Sequence, residues 1–246
     1  MNSKDGTPKA LNIVYRDERW DMAVNASTPA EMLNKLATDE NKDIRKVVAG
    51  NANTAVEVLD RLAVDDNWGV RWAVAGNTNT RGEALNRLAT DKELGVRLAV
   101  ARNPNASAEA LMKLATDEDW RIRWSVTENP NVPAGALVTL ATDYYFEVCC
   151  AVARNPSTPA EVLDRLATND ELSVRWLVAE NPSTPAEILN KLATDEDIRV
   201  RRAVAGNAKI PPEAITLLCF SEESYIRKAL SENPAVPEHI RVGLSL

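Results

Sequence analysis

An all-α solenoid of two-helix repeats is the fold this sequence predicts. Asn25, Asn51, Asn77, Asn103, Asn129, Asn155, Asn181, Asn207 and Asn233 recur every 26 residues without insertion or deletion, which marks a repeat array. Leucines three apart recur in the same phase, from Leu33/Leu36 to Leu189/Leu192, with Ile215/Leu218 taking the next turn; that spacing puts both on one helical face. In Val70-Arg71-Trp72-Ala73-Val74-Ala75 and its equivalents, Val70, Ala73 and Val74 cluster on a helical wheel while Trp72 points roughly opposite.

Taken in order, residues 1–18 lack the repeat phase and are expected to form an N-terminal cap or flexible segment around Pro8 and Leu11. Residues 19–246 are expected to be a single repeat domain whose last unit, Pro237 to Leu246, is a truncated first helix. The first helix of each unit is announced by Thr28-Pro29-Ala30-Glu31, Thr158-Pro159-Ala160-Glu161 and Thr184-Pro185-Ala186-Glu187. Read as a hydroxyl at N-cap, proline at N1 and glutamate at N3, this start leads into a helix of about ten residues with one buried stripe. An acidic turn follows, then a second segment short enough for either α or 3₁₀ geometry. Gly50, Gly76 and Gly206, each directly before an Asn, read as terminators. Where Pro104, Pro130, Pro156, Pro182 or Pro234 follows, the Asn is pushed out of helical geometry, and its side chain can hold the turn. Neither helix is long enough to be stable alone, so stacking must bury the leucine and valine stripes together.

An aspartate stands six residues before an arginine in Asp39/Arg45, Asp65/Arg71, Asp91/Arg97, Asp117/Arg123 and Asp195/Arg201. Such pairs either clamp the turn within a unit or run as a ladder between units, because the arginine fork suits carboxylate and carbonyl acceptors. A row of arginines awaiting a ligand is the other reading.

Composition restricts the function classes. The chain has 246 residues with 36 acidic against 29 basic side chains, and its formal charge of -7 disfavours nonspecific nucleic-acid binding while leaving room for a local basic stripe. Cys149, Cys150 and Cys219 fit neither a disulfide framework nor a metal motif and read as free thiols of a reducing compartment. No signal-peptide run and no stretch of 18 apolar residues occurs, so a cytoplasmic protein with no membrane association is expected. His239 reads as a polar residue of the C-terminal cap.

The unit NPSTPAEVLDRLA followed by VRWLVAE, Asn155 to Glu180, resembles the variant leucine-rich repeat family, and its Asp-turn-Arg arrangement is similar to that of HEAT repeats. The resemblance covers about nine-tenths of the chain and implies a right-handed superhelix of paired short helices. By the HEAT analogy, the second helices, such as Ile44 to Val48 and Ile122 to Val126, line the concave side. Some family members carry an iron–sulfur cluster on an N-terminal cysteine-rich segment; with no cysteine before Cys149, no such cluster is expected here, nor any other cofactor.

Candidate function lies in large side chains that do not face the core. The column after the arginine reads Trp20, Lys46, Trp72, Leu98, Trp124, Cys150, Trp176, Arg202, Lys228, placing tryptophan in every second unit. Exposed, these rings suit a peptide or protein groove; packed, they cover apolar stems of adjacent units. Trp68 and Trp120 share a column with Leu94, Phe146, Leu172 and Ile198 and read as core first. The unit Asn129 to Arg154 departs from the pattern, with Gly135 for the capping glutamate, Tyr144-Tyr145-Phe146 in the acidic turn and Cys149 at the arginine position. Cys149 is the one mildly plausible nucleophile, and no histidine lies near it in sequence. The expectation is a noncatalytic scaffold binding a protein or extended peptide through Trp20, Trp72, Trp124, Trp176, Arg71, Arg123, Arg175, Tyr144 and Tyr145. The alternatives are a HEAT-like nucleic-acid binder, with arginines following phosphates and tryptophans stacking on bases, and a purely structural accessory domain.

Overall fold

The computed structural model describes residues 17–244; the expected N-terminal cap, apart from residues 17 and 18, lies outside them. Eighteen α-helices and no strand occur among the described residues. The first helices of the units are α2 Ala30–Leu36, α4 Val56–Leu62, α6 Gly82–Leu88, α8 Ala108–Leu114, α10 Ala134–Leu140, α12 Ala160–Leu166, α14 Ala186–Leu192, α16 Pro212–Leu218 and α18 Glu238–Leu244. Alternating with them are α1 Glu18–Val24, α3 Lys42–Gly50, α5 Trp68–Gly76, α7 Leu94–Arg102, α9 Trp120–Thr127, α11 Phe146–Arg154, α13 Leu172–Glu180, α15 Ile198–Gly206 and α17 Ser224–Glu232. The chain divides into two compact units, residues 1–79 and 80–246, each an all-α helical repeat array.

Several local expectations are corrected. The first helix has seven α-helical residues rather than ten, because Pro29, Pro159 and Pro185 stand at its N-cap and Thr38, Thr168 and Thr194 already close its other end by donating to the carbonyl three residues back. The second helix is regular α and, at nine residues in most units, the longer of the two. The threonine before the proline is no cap. Buried Thr28, Thr158 and Thr184 donate instead to the carbonyls of Met22, Val152 and Val178, tying the loop to the helix before it. A hydroxyl does cap α8, where Ser107 takes the proline position and accepts from the Ala110 amide at 3.1 Å. Gly50, Gly76 and Gly206 are not left-handed terminators, since no described residue has positive φ; each lies inside the last helical turn. The helix ends at the following Asn, which adopts extended backbone, as at Asn51 (φ -74°, ψ 128°).

Each of these asparagines serves two turns at once. Asn51 donates both Nδ2 hydrogens to the carbonyls of Ala23 (2.9 Å) and Asn25 (3.0 Å) in the preceding repeat, while its Oδ1 accepts from the Asn53 amide (2.9 Å). Asn181, Asn207 and Asn233 repeat the pattern 26 residues behind them. Only a primary amide offers two donors and an acceptor on so short a stem, which accounts for the residue type.

The core is the two stripes read from sequence. Leu85, Val70 and Val74 are fully buried and Leu88 is nearly so, as are Leu111, Leu137, Leu163 and Leu189 in their repeats. Each such leucine removed from water contributes about 1.5–3 kcal/mol, summed along the array without a central core.

Candidate functional site

Burial of Val70, Ala73 and Val74 turns the opposite side of α5 to solvent, and Trp72 is 44% exposed there. Trp20 on α1 is exposed in the same way, and the Lys46 ammonium of α3 sits 5.3 Å from the Trp72 ring centroid. The packing alternative therefore holds in part: a lysine stem and charge lie on one tryptophan, and the ring stays accessible. In the second unit Trp176 is exposed and Trp124 half-buried. Trp68 corrects the core-first reading of its column, being 52% exposed because it lies one turn before Trp72 on the same stripe; Phe146 is exposed too, and Trp120 is half-buried.

The arginines do other work. Arg123 donates from Nε and Nη2 to the two carboxylate oxygens of Asp143 in the next repeat (2.5 and 2.8 Å), and from Nη1 to the carbonyls of Asp117 and Glu118 in its own turn (2.7 and 3.1 Å). Arg45 treats Asp65, Asp39 and Glu40 alike, Arg97 treats Asp117, Asp91 and Lys92, and Arg175 treats Asp195, Asn169 and Asp170. Arg71 is buried and donates to the carbonyls of Asp65 and Asp66 (2.8 and 3.0 Å). Both proposed pairings are thus present: the six-residue partner is met through its carbonyl, and the carboxylate is met twenty residues ahead. Arg123 and Arg175, expected to flank a ligand, brace the stack, because the planar fork finds carboxylate and carbonyl acceptors on two sides, and Arg71, expected likewise, clamps its own turn.

The ladder shifts the carboxylates it uses. For Asp143, burial acts upward, but the Arg123 bonds and the Tyr145 amide outweigh it and hold the carboxyl below the usual range; Asp65 behaves alike with Arg45 and the Asn67 amide. One rung is neutral on both sides. Cys149 takes the arginine position, its Sγ 3.5 Å from the Asp143 carbonyl, and twenty residues on Asn169 stands where Asp would be. This compensation escaped the sequence reading because the twenty-residue offset is a property of the stacking; the lone Asn in the aspartate column was its visible signal. Burial pushes the Cys149 thiol up, and burial and its neighbour raise Cys150 to about 11, so neither forms thiolate readily at neutral pH.

Tyr145 stands at the N-cap position of α11, stacks on Trp120 at 5.7 Å and 19°, and receives the Arg123 guanidinium 5.7 Å from its ring centre. Tyr144 stands edge-on to it at 5.5 Å and is 94% exposed. Trp120, Tyr144 and Tyr145 thus form an aromatic cluster across one repeat junction.

A groove of about 970 Å³ runs along one stripe of α13 (Leu172, Ser173, Trp176, Glu180), one of α15 (Arg199, Arg202, Ala203, Gly206) and the end of α17 (Ala229, Glu232). Sequence reading singled out Trp176 as a binding residue but not Gly206, Glu180 or Glu232, whose shared column mixes Gly, Arg and Glu and has no periodicity to flag it. Among the described residues no group of three or more His, Cys, Asp and Glu is placed to hold a metal ion, and no helix is long and apolar enough to cross a membrane. His239 is exposed on α18.

A family model described as leucine rich repeat variant matches residues 94–119, and a second, leucine rich repeat variant domain, matches residues 149–209. A solved structure described as a leucine-rich repeat variant with a novel repetitive protein structural motif is 27% identical, with 82% of this chain and 81% of that chain covered and a TM-score of 0.62. The crystal structure of an engineered protein matches at 21% identity, covering 92% of this chain and 87% of that one with a TM-score of 0.41. No curated protein matches the sequence.

Proposed function

We propose that the chain, which variant leucine-rich repeat models match over residues 94–119 and 149–209, is a noncatalytic scaffold binding a protein or extended peptide along the exposed stripe of its second helices. The observation that carries this reading is the tryptophan column, in which Trp20, Trp72 and Trp176 are exposed on helices whose opposite face already supplies the core. Folding gains little from a large apolar ring left in water, whereas binding gains much from one, since tryptophan is a frequent hot-spot residue. A repeating surface also suits an extended ligand, which collects similar contacts along its length.

Scaffolding is favoured over chemistry because the one suggested nucleophile, Cys149, is buried with its thiol pushed up. It is favoured over nucleic acid because Arg123 and Arg175 are held by Asp143 and Asp195, and the net charge is -7. The test is the double variant Trp72→Ala with Trp124→Ala, titrated by fluorescence anisotropy with labelled degenerate peptides and with labelled single-stranded DNA. Peptide binding is expected in the wild type and at least about tenfold weaker in the variant. Unfolding free energy should change by no more than about 1 kcal/mol. A large stability loss, or binding of DNA with a steep salt dependence in place of peptide, overturns the reading.

A further inference from the structure

The groove over α13, α15 and α17 carries a chemical preference that the tryptophans alone do not. We propose that it receives a basic side chain, lysine or arginine, of an extended peptide, with the cation lodged at Gly206 between Glu180 and Glu232. This rests on the peptide-scaffold reading above and specifies its ligand.

Gly206 is the starting point. Its φ is not positive, and a Cβ built there meets nothing within 4 Å, so neither backbone geometry nor close packing calls for glycine. Gly206 is the last residue of α15, where glycine without a positive φ gains nothing over alanine. What it leaves is an open notch on the floor of the groove, beside buried Ala203. One repeat to either side, the same column supplies Glu180 and Glu232, so the notch has an acidic residue on each flank.

Those acids suit an incoming cation. Burial pushes the Glu180 carboxyl up, with Arg154 acting weakly in the other direction, and among the described residues no ion pair or hydrogen bond reaches it. A partly desolvated carboxylate without a partner is stabilised by a guanidinium or ammonium. Glu232 has a loose pair, 3.7 Å from the Lys228 Nζ, with both side chains largely in water, which an entering cation displaces at little cost. The last turns of α13, α15 and α17 all border the groove, and a helix C-terminus carries partial negative charge.

Trp176 completes the site as a wall against which an alkyl stem or guanidinium can lie. The other compact unit shows the same column making this contact internally, with Lys46 on Trp72. Of the cations in the lining, Arg199 is tied to Asp197 at 2.9 Å, and Arg202 lies one turn before Gly206, which directs a basic side chain toward the glutamate end.

The test uses the full chain and three fluorescein-labelled, acetylated and amidated heptapeptide mixtures, degenerate except for a central arginine, norleucine or glutamate. Anisotropy titrations should show the arginine mixture binding at least about tenfold more tightly than the norleucine mixture and the glutamate mixture weakest. In Glu180→Gln with Glu232→Gln the arginine preference should vanish while norleucine binding is unchanged. Gly206→Leu, whose added side chain starts in open space, should weaken the arginine mixture most. Arginine and norleucine binding alike, with Trp176→Ala weakening both, removes the cation preference and leaves the peptide reading standing. Preference retained in the double glutamine variant places the cation elsewhere and also overturns the proposal. Binding of no mixture overturns the peptide reading and this proposal together. Both glutamates are surface residues, so the double variant remains informative if Gly206→Leu fails to fold.

Discussion

Ser125 shows how far a single side chain can be judged by its column. It is buried, its Oγ has no hydrogen-bond partner among the described residues, and the equivalent positions in neighbouring repeats are the alanines Ala99 and Ala151. A hydroxyl taken from water without a partner loses its hydration for nothing. Ser125→Ala should therefore raise the unfolding free energy by about 1 kcal/mol in urea titration, and an unchanged or lowered midpoint would refute the assignment. Legibility at this scale was uneven. Asn51 and its equivalents were read as turn-formers, which they are, but their bonds to the previous repeat at Ala23 and Asn25 were invisible because they depend on how two units stack. Thr158 was misread as a cap for a related reason: a hydroxyl before a helix looks the same in sequence whether it faces forward to free amides or back to a carbonyl, here that of Val152.

Between neighbouring elements, the guanidinium–carboxylate ladder dominates, and two outcomes follow from it. Asp65 and Asp143 have folded-state carboxyls below their usual range, so their contribution is present above the unfolded value near pH 4 and is lost as pH falls through the lower folded value. Chemical denaturation from pH 7 downward should show stability falling below about pH 4. Asp143→Asn should be less stable by about 2 kcal/mol at pH 7 and approach the wild type in acid; two parallel curves would sink the argument. The second outcome concerns the neutral rung. Cys149→Arg alone places a guanidinium opposite Asn169, and Asn169→Asp alone places a carboxylate opposite a thiol, so each should destabilise. Combined, they recreate the rung seen at Arg123 and Asp143 and should be more stable than the sum of the singles by about 1–3 kcal/mol in a double-mutant cycle. Strict additivity would show that the ladder carries no coupling.

For the whole molecule, stability is spread along the chain. Seven- and nine-residue helices lie well below the length at which isolated helices persist, and each buries its stripe only on its own partner and the adjacent repeats. A synthetic peptide covering Asn155 to Glu180 should accordingly give a mostly coil far-UV circular dichroism spectrum, whereas the full chain is strongly helical. A folded single repeat would overturn this view of the array. The two compact units, residues 1–79 and 80–246, repeat the same internal logic, and each presents its own exposed tryptophans.

Repetition let the sequence determine the period, the two-helix unit, the buried leucine and valine stripes and the place of the tryptophan column opposite the valines, but not whether those rings lie in water. Each of these follows from periodicity along one chain segment, where 3.6 residues per turn converts spacing into direction. Only the tertiary structure decided which aspartate each arginine meets, that the neutral Cys149 position is matched by Asn169 in the next repeat, and that Trp176, Glu180, Gly206 and Glu232 line one groove. The arginine–aspartate bonds join residues twenty positions apart, and their partners are chosen by the offset between stacked helices, which no local spacing encodes.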